Sequence, residues 1–246
     1  MSEIIIIVVL TFLVALIYSS VGHGGASGYL AILSFFAIPH DVMAASALCL
    51  NVFVAGLSFS IYWKARHFSW KLTCPFVFAS VPLAFVGGLI KISPSFYALL
   101  LAGALFFAGL RLLFNIDKNG SPIEASPSFG IAATVGGLIG LLSGMVGVGG
   151  GIFLSPILIL FHWADPKKTA ATSAFFILVN SISGLTGRYL RGNVHLTPKW
   201  SFMVLAAFLG GILGSRLGAY HFSSPWLRRI LGFVLFLAVF KLIHSV

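Results

Sequence analysis

Apolar residues run from Ile4 to about Val21, stop at the glycine-rich stretch Gly22 to Gly25, and resume from Ala26 to Ile38 before Pro39, His40 and Asp41 end the run. A straight helix of that length would measure roughly 50 Å at about 1.5 Å per residue, against a bilayer core of about 30 Å. The pattern therefore predicts a broken segment, a hairpin or a re-entrant arm, bent at the glycines. Val42 to Tyr62 is the next apolar run, and the basic connector Trp63 to Lys71 separates it from Leu72 to Ile90 and then Phe96 to Phe114. Pro75 and Pro82 interrupt the second of these runs and require neighbouring helices to satisfy the carbonyls they free. After a polar stretch, Asn115 to Pro127, the plan repeats: Phe129 to Trp163 broken at Gly147 to Gly151, then Thr169 to Gly187, Ser201 to Tyr220 and Leu227 to Ile243.

The repetition extends to single residues. Sliding the chain by 125 positions places Val21 on Val146, Gly22 on Gly147, Gly24 on Gly149 and Gly25 on Gly150. Gly87 and Gly88 match Gly210 and Gly211, Arg111 matches Lys241, and the basic connector at Trp63 matches one at Leu190. The expected architecture is an all-α polytopic membrane protein: a first transmembrane repeat over 1–114, a polar linker over 115–127 and a second repeat over 128–246. Each repeat has about four spans and opens on its glycine-broken segment, a plan common among transporters. Loop charges leave the relative direction of the repeats open, because inversion gathers ten of the fifteen bases on one side and a parallel arrangement nine.

Composition sets the class. Hydrophobic residues make up 59% of the chain, charged residues 8%, and mean hydropathy is +1.06, whereas a soluble domain is about 25% charged. The connectors leave no room for a soluble domain. A formal charge of +10 would suggest nucleic acid in a soluble chain. Here the bases lie in short loops and at segment ends, which fits topology signals beside the lipid bilayer, with attraction of an anionic substrate as the second reading, and no nucleic-acid partner is expected. Cys49 and Cys74 share no metal-like spacing and read as packing residues. The first apolar run has an acid and no base before it, which reads as a retained span instead of a signal peptide.

The candidate chemistry is that of an anion site. Glycines at a helix break permit close backbone approach, and a helix restarting after them presents free N–H groups at the positive end of its dipole. Gly22, Gly24 and Gly25 in the first break and Gly147, Gly149, Gly150 and Gly151 in the second are the candidates; tight helix packing is the bland alternative. Uncharged polar residues follow each break, Ser46 and Asn51 in one half and Thr172, Ser173 and Asn180 in the other. These can hydrogen-bond an oxyanion or simply bond between helices. Arg216, within the ladder Gly210, Gly214 and Gly218, is either a snorkelling base or a substrate counter-charge. His23 stands where the second break has Val148, as a proton site or a bend donor. No cofactor and no metal site is expected.

An enzyme is the rival from another class. Gly25-Ala26-Ser27-Gly28 resembles the string in rhomboid intramembrane proteases, which would make Ser27 a nucleophile. The second half has Ile152 at that position, and none of His162, His195, His221 and His244 lies well inside an apolar span beside small residues, so catalysis is not expected. An uncoupled anion channel or facilitator is the rival among membrane proteins.

The stretch Ser143 to Leu158, SGMVGVGGGIFLSPIL, followed by Ala171-Thr172-Ser173 and by Arg191-Gly192-Asn193-Val194, resembles the glycine-rich signature of the sulfite exporter TauE/SafE family, also grouped as toluene sulfonate uptake permeases. The likeness covers essentially the whole chain. It implies a multi-pass protein of the bacterial inner membrane that moves small sulfur-containing anions such as sulfite or sulfonates. The first copy of the signature departs from the pattern, with His23 and Ala26 inside the glycine run and no proline at Ala31. Direction of transport, coupling ion and oligomeric state are left open, a homo-oligomer among the possibilities.

Overall fold

Both glycine clusters interrupt helices. In the computed structural model, which describes residues 2–34, 40–90, 127–192, 200–223 and several positions between 225 and 233, helix α1 (Ser2–Ser19) ends before the first cluster and α2 (Ala26–Ser34) begins after it. The chain continues through α3 (His40–Lys64) and α4 (Trp70–Leu89). In the second half α5 (Phe129–Val146) ends at the second cluster and α6 (Gly151–Leu160) restarts from it, followed by α7 (Pro166–Leu190), α8 (Trp200–Arg216) and a π turn, Leu217–His221. The described residues contain no strand. Among the described residues, five helices are long and apolar enough to cross a membrane. At about 1.5 Å per residue the ten residues of α6 reach only roughly 15 Å, half a bilayer core. The expected span Phe96 to Phe114, Arg111, most of the linker, and Lys241 lie outside the described residues.

Sequence explains most boundaries. Asp165 caps α7 by accepting from the N–H groups of Lys167 and Lys168 at 2.9 and 3.0 Å, with Pro166 at the first helical position. Gly147, left-handed at φ 86°, ends α5, and its N–H returns to the Ser143 carbonyl. Helix α4 runs through both prolines without a break.

Small residues dictate which helices touch. A Cβ on Gly136, Gly140 or Gly144 of α5 would overlap the carbonyls of Phe76, Ser80 and Ala84 of α4. On α8 and the π turn that continues it, Gly210, Gly214 and Gly218 lie as close to the carbonyls of Phe12, Leu16 and Ser20. Backbone approach of this kind is how helices associate where no hydrophobic effect drives them together.

The order of these contacts fixes direction. Positions rise together in α4 and α5, and likewise in α1 and α8, so each pair is parallel. Helix α4 also parallels α7, since Thr73 bonds Thr172, Ser183 donates to Val81 O and Arg191 donates to Ile90 O. Helix α3 parallels α8, with Val54 beside Gly211 and the Tyr62 hydroxyl beside Gly218. Helices α3 and α7 oppose each other, because Gly56 meets Leu178 while the rings of Phe59 and Phe175 meet at a tilt, centroids 4.8 Å apart. It follows that α1 and α5, α3 and α7, and α4 and α8 each run in opposite directions.

The outward faces are apolar. Ile5, Phe78, Leu138, Leu205 and Phe161 are exposed, as lipid contact requires. Cys74 is exposed and Cys49 half-buried, so Cys74 belongs to this outer face and does not fill the interior as the sequence suggested. Phe59, Trp63, Phe68, Trp70 and Phe175 cluster at one end, beside Lys64, Arg66 and Lys71, the composition of a membrane interface.

Candidate functional site

The second break is built to expose backbone donors. Gly147, Gly149 and Gly150 have φ of 86°, 80° and 81°, a left-handed conformation that a side chain would strain. The N–H groups of Gly147 and Val148 fold back onto the Ser143 carbonyl, and the Gly150 carbonyl takes the bonds from Phe153 and Leu154. Gly149, Gly150 and Gly151 are buried, and among the described residues their N–H groups find no acceptor. These three N–H donors open α6 at the positive end of its dipole, where an anion could accept from them.

The first break is tied to this one by Asn51. Its Oδ1 accepts from the N–H of Ala26, the first residue of α2, at 3.0 Å, and its Nδ2 donates to the Val148 carbonyl at 3.1 Å. A Cβ on Gly24 would overlap Asn51 Oδ1, while a Cβ on Gly149 would stand 2.6 Å from Asn51 Nδ2 and 2.8 Å from Ser181 Oγ. The two glycines related by the 125-residue shift thus converge on one amide. Asn51 stands near the midpoint of α3, and Ile177, which also abuts Gly149, near the midpoint of α7.

A second polar chain lies beside the first. His23 Nε2 is 2.7 Å from Ser155 Oγ, and Ser155 Oγ is 2.7 Å from Ser173 Oγ. All three residues are buried. They come from the first break, α6 and α7. Ser143 Oγ, Ser181 Oγ, Asn180 Oδ1 and His23 Nδ1 are buried with no hydrogen-bond partner among the described residues, and Ser143 and Ser181 stand beside Gly150 and Gly149.

The other expected residues are distributed as follows. Gly22 (φ 76°) packs on the Ala170 backbone and Gly25 (φ 95°) on the Tyr29 ring, both in close contact. Ser46 is buried on α3. Thr172 bonds Thr73 of α4 at 3.3 Å. Asn180 turns its Nδ2 back to Phe176 O at 2.8 Å, so it does not mirror Asn51. Ser27 donates to the Tyr18 hydroxyl at 3.1 Å. Arg216 is exposed at the end of α8, the geometry of a snorkelling base, and the glycine ladder around it packs against α1.

Sequence reasoning passes over Ser155, Ser143, Ser181 and Arg188. Ser155 reads as an ordinary helical serine before Pro156, and only the fold brings His23 across 132 positions to it. Arg188 reads as a loop base, yet it is buried, and its Nη2 donates to the carbonyls of Gly144 and Met145 at 3.3 and 2.8 Å, closing the C-terminal end of α5.

Comparison with known proteins agrees with the membrane architecture. A family model described as sulfite exporter TauE/SafE matches residues 7–242. The chain is 30% identical over 237 residues to a probable membrane transporter protein of Sinorhizobium fredii, y4hK, covering 94% of this chain and 95% of that protein. It is 27% identical over 204 residues to the probable membrane transporter protein MJ0441 of Methanocaldococcus jannaschii, covering 77% and 73%. A shorter match, 35% identical over 77 residues, reaches sulfite exporter TauE/SafE family protein 2 of Arabidopsis thaliana, covering 31% and 16%. No solved structure matches the chain. The chain is a multi-pass membrane protein that belongs to the sulfite exporter TauE/SafE family of membrane transporters.

Proposed function

We propose that this protein is a secondary carrier of small sulfur-containing anions, of the sulfite or sulfonate type, held between its two glycine breaks. The observation that carries the reading is the group of three buried N–H donors at Gly149, Gly150 and Gly151, facing an amide, Asn51, that also holds the opposite break. Backbone donors replace the anion's water at no cost of burying a fixed charge. The name of the family and of its plant relative, sulfite exporter, supports the choice of substrate class.

We further infer that the two halves are inverted repeats that rock about the paired breaks. The opposite directions of α1 and α5, α3 and α7, and α4 and α8 support this, as does the exchange in which α4 packs on α5 while α8 packs on α1. Inverted repeats place a central site where either half can expose it in turn. The basic end, with Lys64, Arg66, Lys71, Lys167 and Arg216, is then the cytoplasmic one.

Counterflow in proteoliposomes tests the function: liposomes preloaded with unlabelled sulfite or methanesulfonate are diluted into trace labelled anion. Transient accumulation that empty liposomes lack is the expected result. Absence of counterflow for every small sulfur anion, with folded protein, would refute the carrier.

A further inference from the structure

Resting on the anion-carrier reading, we infer that His23 is the carrier's proton site: one proton is taken up by the imidazole with each anion bound at the glycine breaks, and Ser155 and Ser173 relay its protonation state across the two halves. His23 is 2% exposed, its Nε2 lies 2.7 Å from Ser155 Oγ, and its Nδ1 has no partner among the described residues. Ser155 in turn lies 2.7 Å from Ser173 Oγ.

The two bonds through the Ser155 hydroxyl can reverse. When Nε2 is an acceptor, Ser155 donates to it and Ser173 donates to Ser155. A proton added to the ring makes both nitrogens donors; Ser155 then accepts from the ring, its own proton is free to turn to Ser173, and the Ser173 hydroxyl gives up its donor position. Ser155 is one turn below Gly151 on α6, and the Ser173 carbonyl faces Gly151. The reversal is therefore felt at the start of the helix whose N–H groups receive the anion. No bond other than the N–H is made or broken, and release of the proton restores the first arrangement.

The surroundings demand a counter-charge. Tyr18 faces His23 from α1, with ring centroids 6.4 Å apart, and Tyr29 of α2 lies against the neighbouring Gly25. Helix α6 carries no titratable side chain; α7 presents Ser173 and α3 the amide of Asn51. None of these is anionic at neutral pH. An imidazolium buried without an opposite charge is expensive, so the charge that balances it arrives with the substrate. A monovalent anion and its proton then cross as a neutral pair.

The test is the proton count on binding, measured by titrating purified protein with methanesulfonate, which does not itself titrate, in buffers of different ionisation heat. Wild-type protein should take up a proton per anion bound, and affinity should weaken as pH rises, by up to about tenfold per pH unit for one linked proton. His23→Gln should bind more weakly, without proton uptake and without that pH slope. A variant with the other six histidines replaced by Gln, keeping His23, should retain both, which decides the matter if His23→Gln fails to bind. Binding without proton uptake in the wild type would overturn the coupling and leave the carrier standing. Uptake that survives in His23→Gln, or is lost from the six-histidine variant while binding remains, would also overturn it. Failure of folded wild type to bind or exchange any small sulfur anion would count against the carrier reading itself.

Discussion

Asn51 donates to the carbonyl of Val148 at 3.1 Å, across 97 positions of sequence, while its own oxygen accepts from the first residue of α2. One side chain thereby joins the turn of one glycine break to the start of the helix after the other. Asn51→Leu keeps the volume and removes both bonds, leaving the buried Ala26 N–H without a partner, at a cost of roughly 1–3 kcal/mol, and the part-buried Val148 C=O without its donor. The expected outcome is a lowered melting temperature in detergent and loss of counterflow. Asn51→Asp should accept from Ala26 as before but place a negative charge beside the donors, so it should fold better than Asn51→Leu and still fail to transport. Fluorescence-detected melting and counterflow on the same preparations check both.

The glycines of the second break should be intolerant, for a reason separable from general helix sensitivity. Gly149→Leu and Gly150→Leu each impose a left-handed side chain, costing about 1–3 kcal/mol, and intrude on Asn51 or Phe176. Both should abolish transport. Gly130 on α5 has nothing within 4 Å of the place a Cβ would occupy, so Gly130→Ala should transport like the parent. Counterflow measured on the three variants makes the comparison.

Arg188 should act on stability. It is buried and donates to Gly144 and Met145 at the end of α5; Arg188→Met removes these bonds and should cost roughly 1.5–3 kcal/mol, the usual worth of a hydrogen bond from a charged group. Arg188→Lys should recover part of it, because the cation remains but the planar fork does not. Thermal unfolding of the two variants shows the difference.

Orientation is testable by accessibility. With Cys49 and Cys74 replaced, Arg66→Cys and Arg191→Cys put single thiols at opposite ends of the bundle. In intact cells an impermeant maleimide should label Arg191→Cys and reach Arg66→Cys only after permeabilisation, as the positive-inside rule requires. The reverse pattern would place the basic end outside.

How far the sequence foretold this arrangement depends on the range of each signal. The breaks were legible because glycine clusters and the 30 Å core act locally, and the matching of Gly24 with Gly149 anticipated their meeting. Direction was illegible because ten bases against nine cannot separate two topologies; the register of Gly136, Gly140 and Gly144 on α4 shows that α4 and α5 run parallel, which supports the inverted arrangement proposed above. Asn180 looked like the partner of Asn51 but bonds its own helix, since an amide one turn from a carbonyl has a local option that spacing cannot exclude. Ser155 was missed for the opposite reason: its partners come from a loop and a helix distant in sequence.

Whether an anion sits at the two breaks is decided by locating one. Crystals grown with 2-bromoethanesulfonate carry an anomalous scatterer on the ligand itself. A bromine peak is expected beside Gly149, Gly150 and Asn51, and none at that place in Gly150→Leu crystals. A peak only at the basic end near Lys167 and Arg216, with none between the breaks, would refute the anion site.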